Sequence, residues 1–374
     1  MSVILAVSVA QLVRPFAMPV TISHVVGARP NFMKAAPVIR ALAEASGVQQ
    51  TLVHTGQHYN VNMSDVFFQQ LAMPAPDVNL RVGSGTHAQQ TAAIISRFEP
   101  IVTKMEPSLV MVYGDVNSTI ATAMVCAKLG IKVAHVEAGL RSFDRTMPEE
   151  INRVLTDQIA DLLFTPSEDG NRNLEREGIP QERVHLVGNV MIDTLVRMLP
   201  LASLPAIDVP PRYILVTLHR PSNVDDLPWF ERLLEILAKL AEHVPVLFPV
   251  HPRTARTLES RAGSINGCVR LLEPQPYLQF LALQQHATMV VTDSGGIQEE
   301  TTYLGVPCLT VRKNTERPVT VDCGTNTVVG YDPKVLADTA LRILAGQVKP
   351  SSLPPLWDGH AAERIARIVH NTLC

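Results

Sequence analysis

The chain has 374 residues, of which 46% are hydrophobic, only 5% aromatic and 18% charged, with a formal net charge of -3. This aliphatic, nearly neutral composition suits parallel sheets covered by helices, and it excludes the basic excess of a nucleic-acid binder or of a protein drawn to an anionic membrane. Five scattered cysteines without a CxxC pair exclude a disulfide framework or a zinc ribbon and fit reduced thiols in the cytoplasm.

At roughly 100 to 200 residues per domain, the length predicts two or three domains. The opening MSVILAVSVAQLVRPFA is apolar, but it has no basic start and Arg14 interrupts it. It is too short for a membrane span and reads as an extension, residues 1–17, outside the fold. TISHVV (Thr21 to Val26), the turn GARPN and the pattern FMKAAPVIRALAEAS predict strand, tight turn and helix. Arg29 and Lys34 fall at the turn and the first helical turn, where two cations beside unpaired backbone N–H groups make either a phosphate site or ordinary surface charge. VQQTLVHT predicts a second strand, ending in Gly56-Gln57-His58-Tyr59. His54 and His58 share the i, i+4 spacing of metal ligands, but Thr55-Gly56 argues against a helix and no third ligand stands at a recognisable spacing, so no metal site is expected. His87 to Met105 predicts an amphipathic helix.

The stretch Leu109 to Arg153 carries the densest chemistry. LVMVY ends at Gly114-Asp115, Ser118 to Leu129 predicts a helix, and VAHV ends at Glu137 with Gly139 and Arg141 close behind. Asp115 has two readings, a helix cap and a catalytic carboxylate. Glu137 is harder to place as scaffold, because a carboxylate closing an apolar strand is costly unless a cleft solvates it or a cation pairs with it. Pro148 predicts a helix start, with Glu149 and Glu150 in a first turn where any helix dipole favours them. Strand ends at LLFTPS and RVHLVGN complete an alternating β/α half, residues 18–199, and the proline-rich 200–211 reads as a linker.

The second half repeats the cycle over residues 212–356. YILVTLHRPSN, PVLFPVHPRT, VRLLEPQPY and ATMVVTDSGGIQEE each show an apolar run ending in polar residues, which places His219, Arg220, His251 and Asp293-Ser294-Gly295-Gly296 at strand ends. A Ser-Gly-Gly turn at a helix start lets backbone amides approach an anion, although scaffolds use such turns too. Glu299 and Glu300 just downstream, and Thr315-Glu316-Arg317-Pro318 after the strand PCLTV, turn the pattern toward a nucleotide-diphosphate site. A terminal helix is predicted within 357–374. The expected fold class is α/β, with ligands bound outside the carboxyl ends of the strands.

In order, GARPNFMKAAP, TGQHYN, GDVNST, HVEAGLRSFDRTMPEEINR, GNVMIDTL, TLHRPSN, PVHPRT, TDSGGIQEET and TERP resemble the non-hydrolysing UDP-N-acetylglucosamine 2-epimerases. The resemblance runs from about Val20 to the C-terminus. It implies two Rossmann-like domains facing across a cleft in the GT-B arrangement, a cytoplasmic homodimer without a cofactor, and interconversion of UDP-GlcNAc and UDP-ManNAc for surface polysaccharide. By that resemblance Asp115, Glu137, Glu149, Glu150 and His219 form the catalytic set. Arg29, Lys34, Arg141, Arg220, His251 and Arg317 join the substrate-binding set, with Ser294, Gly295 and Gly296 at phosphate, Glu300 at ribose and Phe280 beside the uracil. Three departures stand out: Asn31 replaces the Glu of the usual GTRPE turn, Pro221 replaces the second Arg of GHRRE, and Tyr59 stands where AQHR has its Arg. A GT-B glycosyltransferase, a hydrolysing relative releasing ManNAc, a silent sugar-nucleotide sensor and a 2-epimerase of a UDP-diacetamido-sugar uronate are the competing readings.

Overall fold

The computed structural model describes residues 20–57, 70–250, 254, 255, 258 and 269–373. The expected extension 1–17, together with His58, Tyr59 and His251, lies outside the described residues. The first sheet is built from β1 (Val20–Val26), β2 (Val48–His54), β3 (Val78–Asn79), β4 (Leu109–Tyr113), β5 (Val133–Val136), β6 (Leu162–Thr165) and β7 (Val184–Leu186). Its order is β3-β2-β1-β4-β5-β6-β7. The second sheet uses β8 (Ile214–Thr217), β9 (Val246–Pro249), β10 (Val269–Leu272), β11 (Met289–Thr292), β12 (Cys308–Thr310) and β13 (Asn326–Val328), in the order β10-β9-β8-β11-β12-β13. The pairings among these strands are parallel. LVMVY, VAHV, VLFP and MVVT are buried at every residue, as strands covered on both faces require, which is why they read as continuous apolar runs without alternation.

Both sheets reverse their strand order at one place, between β1 and β4 in the first and between β8 and β11 in the second. The loops leaving those strands diverge to opposite faces of the sheet and open a crevice there. The two crevices carry the residues that matter below: the helix Arg29–Ala43 after β1 brings Lys34, the turn after β4 brings Asp115, and those after β8 and β11 bring His219 and Asp293.

The helix after β4 spans Asn117–Leu129, and its cap is Val116, with no side-chain cap hydrogen bond. Asp115 therefore does not cap that helix, because its carboxylate is turned to Arg153 instead. The last helix, Ala361–Leu373, returns to the first domain, where Ala361, Ile365 and Val369 share a core with Val38, Ile39 and Leu42. The Asp193 carboxylate caps it from another helix, accepting from the backbone N–H of Ala361 (3.1 Å) and Ala362 (2.7 Å). Among the described residues no helix is long and apolar enough to cross a membrane.

Candidate active site

On the first domain the site begins at the end of β4. Gly114 sits at φ +63, and a Cβ there would come within 2.7 Å of Lys34 Nζ, so glycine is what lets the lysine lie across the turn. Lys34 pairs with Glu137 Oε2. Glu137 itself follows β5 with φ +77, a left-handed conformation that costs a non-glycine residue roughly 1–2 kcal/mol. Such local strain persists where the surroundings over-determine it. Here two cations hold the carboxylate, since Arg317 Nη2 donates to Glu137 Oε1 at 2.9 Å from the second domain. One strand over, Arg153 forks between Asp115 Oδ2 and Glu150 Oε2, each at 2.5 Å. Burial alone would raise the Asp115 carboxyl, yet the charges of Arg153, Lys34 and Arg317 hold it below the ordinary carboxylate range.

On the second domain, Asp293 is fully buried at the end of β11 and collects donors from the neighbouring β8 turn. It accepts from the backbone N–H of His219 (3.1 Å) and Arg220 (2.9 Å) and from Asn223 Nδ2 (2.9 Å). Its Oδ1 lies 3.1 Å from His219 Nδ1. An imidazole donating from Nδ1 to a carboxylate is held in one tautomer, with Nε2 as its acceptor nitrogen. Burial pushes the Asp293 carboxyl up, but the hydrogen bonds from His219, Asn223 and Arg220 outweigh it and hold the group low.

Arg317 joins the two halves. Its Nε donates to Glu299 (2.7 Å), Nη1 to Glu316 (2.5 Å) and Nη2 to Glu137. Glu316 also accepts from Arg312 at 2.6 Å, and despite its burial Arg317 and Arg312 keep it far below the usual range. Glu299 moves the other way, because burial raises it and the charge of Glu137 adds to that rise. Gly295 is explained here as well: a Cβ would lie 2.5 Å from Arg317 Nη1. Its smallness thus admits the arginine, and it is at Gly296, where a Cβ would find only Met191 at 3.8 Å, that the helix Gly295–Leu304 faces open space.

Between the domains lies a cleft of ≈ 350 Å³. Pro30, Met33 and Lys34 line it on one side and His219, Phe280 and Ser294 on the other. Gly296, Glu300 and Arg317 complete the second wall, where the buried Tyr277 hydroxyl donates to Glu300 Oε1 at 2.9 Å. Arg29 opens the helix Arg29–Ala43 at the mouth of the β1 crevice, its side chain being outside what is described. Glu149 is half-buried and acts by its charge on Arg220, which also stands 3.9 Å from Glu316.

Two residues of the expected site, Arg141 and Glu150, line a separate pocket of the first domain. Arg141 donates from Nε and Nη2 to Glu177 (2.7 Å each) and from Nη1 to Asp157 (2.7 Å), so its fork is engaged within the first domain. Glu150 accepts from the backbone N–H and hydroxyl of Ser142 (3.0 Å each), from Phe143 N–H (2.8 Å) and from Arg153. It secures that loop and orients Arg153. The sequence pattern singles out neither Arg312 nor, beyond their place in longer motifs, Asp293 and Glu316, although Asp293 closes the run MVVT just as Glu137 closes VAHV.

Two doubly wound sheets with their crevices opposed define a two-domain α/β protein of the GT-B arrangement. A model of the family UDP-N-acetylglucosamine 2-epimerase matches residues 40–370. The UDP-N-acetylglucosamine 2-epimerase of Methanocaldococcus jannaschii is 41% identical over 362 residues, 93% of this chain and 98% of that protein. A UDP-2,3-diacetamido-2,3-dideoxy-D-glucuronate 2-epimerase of Pseudomonas aeruginosa is 40% identical over 346 residues, 91% of this chain and 97% of that one. The crystal structure of the Methanocaldococcus enzyme in complex with UDP-GlcNAc and UDP superposes with a TM-score of 0.85, covering 94% of this chain and 99% of that one. The chain belongs to the UDP-N-acetylglucosamine 2-epimerase family.

Proposed function

We propose that the chain interconverts UDP-GlcNAc and UDP-ManNAc by inverting C2 of the sugar within the cleft. The C2 hydrogen has no adjacent carbonyl and is too weakly acidic for direct removal. Elimination solves this: the C1–O bond to UDP breaks, a base takes the C2 proton, and a C1=C2 double bond forms in 2-acetamidoglucal. Re-addition of UDP at C1 with protonation of C2 from the other face gives the epimer. The reaction needs acid/base groups near the ring and positive charge at the departing diphosphate. The observation that carries this reading is Glu137, held at a strained strand end by Lys34 and Arg317, two cations that line the cleft together with the Asp293-oriented His219.

Lys34, Arg317 and the helix start at Ser294 supply charge and amides for the diphosphate. Because the same two cations hold Glu137, an incoming diphosphate competes for them and loosens the carboxylate for proton transfer. Phe280 offers a face for the uracil, and Glu300 an acceptor for the ribose. The near-equal identity to the diacetamido-glucuronate epimerase favours one second reading, the same C2 chemistry on that related sugar. We place the enzyme as a homodimer in the cytoplasm, supplying ManNAc-type sugar for surface polysaccharide. Proton NMR of UDP-GlcNAc with the protein in D2O tests the reading: a UDP-ManNAc anomeric signal should appear, with deuterium entering C2 of both epimers. No exchange with UDP-GlcNAc but exchange with the diacetamido-glucuronate selects the second reading. Accumulating free UDP and ManNAc contradicts both.

A further inference from the structure

Two histidines of the first sheet, His24 and His135, are fully buried, and their partners give them opposite proton inventories. His24, in β1, places Nε2 2.8 Å from Gln50 Oε1 and Nδ1 2.6 Å from the Tyr113 hydroxyl. One partner is an acceptor and the other can donate, so a neutral ring satisfies both. His135, in β5, is also fully buried. Its Nε2 lies 2.8 Å from the carbonyl oxygen of Gly114, which can only accept, and its Nδ1 lies 2.6 Å from Asp157 Oδ1. The Arg141 guanidinium, with Nη1 2.7 Å from Oδ2, holds Asp157 as an anion, and Gly139 N–H donates to the same oxygen (3.1 Å). Two acceptors at the two ring nitrogens require two N–H groups.

The two hydrogen bonds at the ends of this unit reach the two turns of the carboxylate rim. Gly114, whose carbonyl His135 holds, immediately precedes Asp115. Gly139, whose amide Asp157 holds, lies two residues past Glu137 at φ +80, where a Cβ would come 2.6 Å from Gly170 O. No atom of the unit needs to meet substrate.

We propose that His135 and Asp157 form a buried imidazolium–carboxylate pair that positions Asp115 and Glu137 relative to each other for the C2 reaction read above, on which the catalytic half of this inference rests. Arg141, engaged on the outer side of Asp157 and tied to Glu177, completes the unit. The pair is a positioning device: it ties one end of β4, through β5, to the helix Pro148–Ile159. Charge-assisted hydrogen bonds at both ends make it stiffer than a neutral pair would be.

The test uses the full chain with 15N-labelled histidine at neutral pH. The resonance absent from the His135→Gln spectrum identifies the ring, and the expected result is two protonated ring nitrogens. A neutral tautomer at His135 overturns the proposal, and this readout needs no turnover and no folded variant at Asp157. Kinetics test positioning: Asp157→Asn should lower kcat for C2 exchange by at least about tenfold, the scale of a sub-ångström misplacement, while UDP affinity stays within about twofold. Unchanged kcat in folded Asp157→Asn overturns the positioning claim. A wild-type chain with a doubly protonated His135 and no C2 exchange overturns the functional reading and leaves the buried pair standing.

Discussion

His219 and Asp293 show how a single side chain is given its task by groups far away in sequence. The carboxylate under His219 is supplied from 74 residues downstream, and it exists at that spot because β8 and β11 are neighbours in the sheet. Replacing Asp293 by Asn keeps the volume but offers an amide that can present its N–H₂ to the ring, so the wrong tautomer becomes available. The expected outcome for Asp293→Asn is a loss of kcat of at least about tenfold with little change in UDP affinity, read by steady-state kinetics and calorimetry. Glu137 and Asp293 were both visible in the sequence as polar residues ending apolar runs, yet only strand adjacency pairs Asp293 with His219, and only the meeting of the domains brings Arg317 to Glu137. Arg141 shows the converse. Its place in the HVEAGLR run said nothing about the direction of its side chain, and Glu177, which captures it, lies 36 residues on. Asn31 replaces a Glu without leaving a gap: its Oδ1 accepts from Gly27 and Ala28 N–H (3.0 and 3.1 Å), and its Nδ2 donates to Tyr113 O at 2.6 Å, a donation no ionised carboxylate could make.

At the scale of elements, the central strands were the easiest to read, because strands covered on both faces are continuous apolar runs bounded by turns. Their order was not readable, since spacing along the chain does not say which parallel strand lies beside which. His24 is one of the clamps that enforce the order, linking β1 to Tyr113 on β4 and to Gln50 on β2. Burial lowers its pKa to about 4 from 6.5, with the Gln50 hydrogen bond opposing. A depressed value in the folded state means the unfolded chain takes up the proton first. The stability is therefore fully present above pH 6.5 and is lost as pH falls toward 4, with a span of about 3 kcal/mol from this one ring. Urea unfolding over that range should show the decline, and His24→Gln, which cannot titrate, should flatten it. An equal acid slope in the variant would remove His24 as the cause.

For the molecule as a whole, the described residues of the two domains meet through apolar packing, with Tyr277 and Leu281 joining the core of Ile192 and Leu195, and through polar contacts. Asn314 Nδ2 donates to Ser142 O at 3.1 Å, and Arg317 reaches Glu137 while gathering Glu299 and Glu316 on its own side. Removing that guanidinium leaves three buried carboxylates short of a partner, so Arg317→Gln should cost about 3–5 kcal/mol in urea unfolding, the range for breaking a buried ion pair on one side. A loss below about 1 kcal/mol would mean the charges are screened and the arginine is not what joins the domains. The two-domain plan and the facing strand ends followed from the sequence pattern and its family resemblance. The convergence of three glutamates on one arginine did not, because it arises only when the domains are brought together. The claim on which the account turns is that Glu137, held in that convergence, takes part in proton transfer at C2. Deuterium entry at C2 of UDP-GlcNAc in D2O, compared between wild type and Glu137→Gln at equal UDP saturation, measures it directly. The expected result is a fall of at least about a hundredfold in the variant, the scale for removing a general acid or base. Exchange at close to the wild-type rate would contradict it.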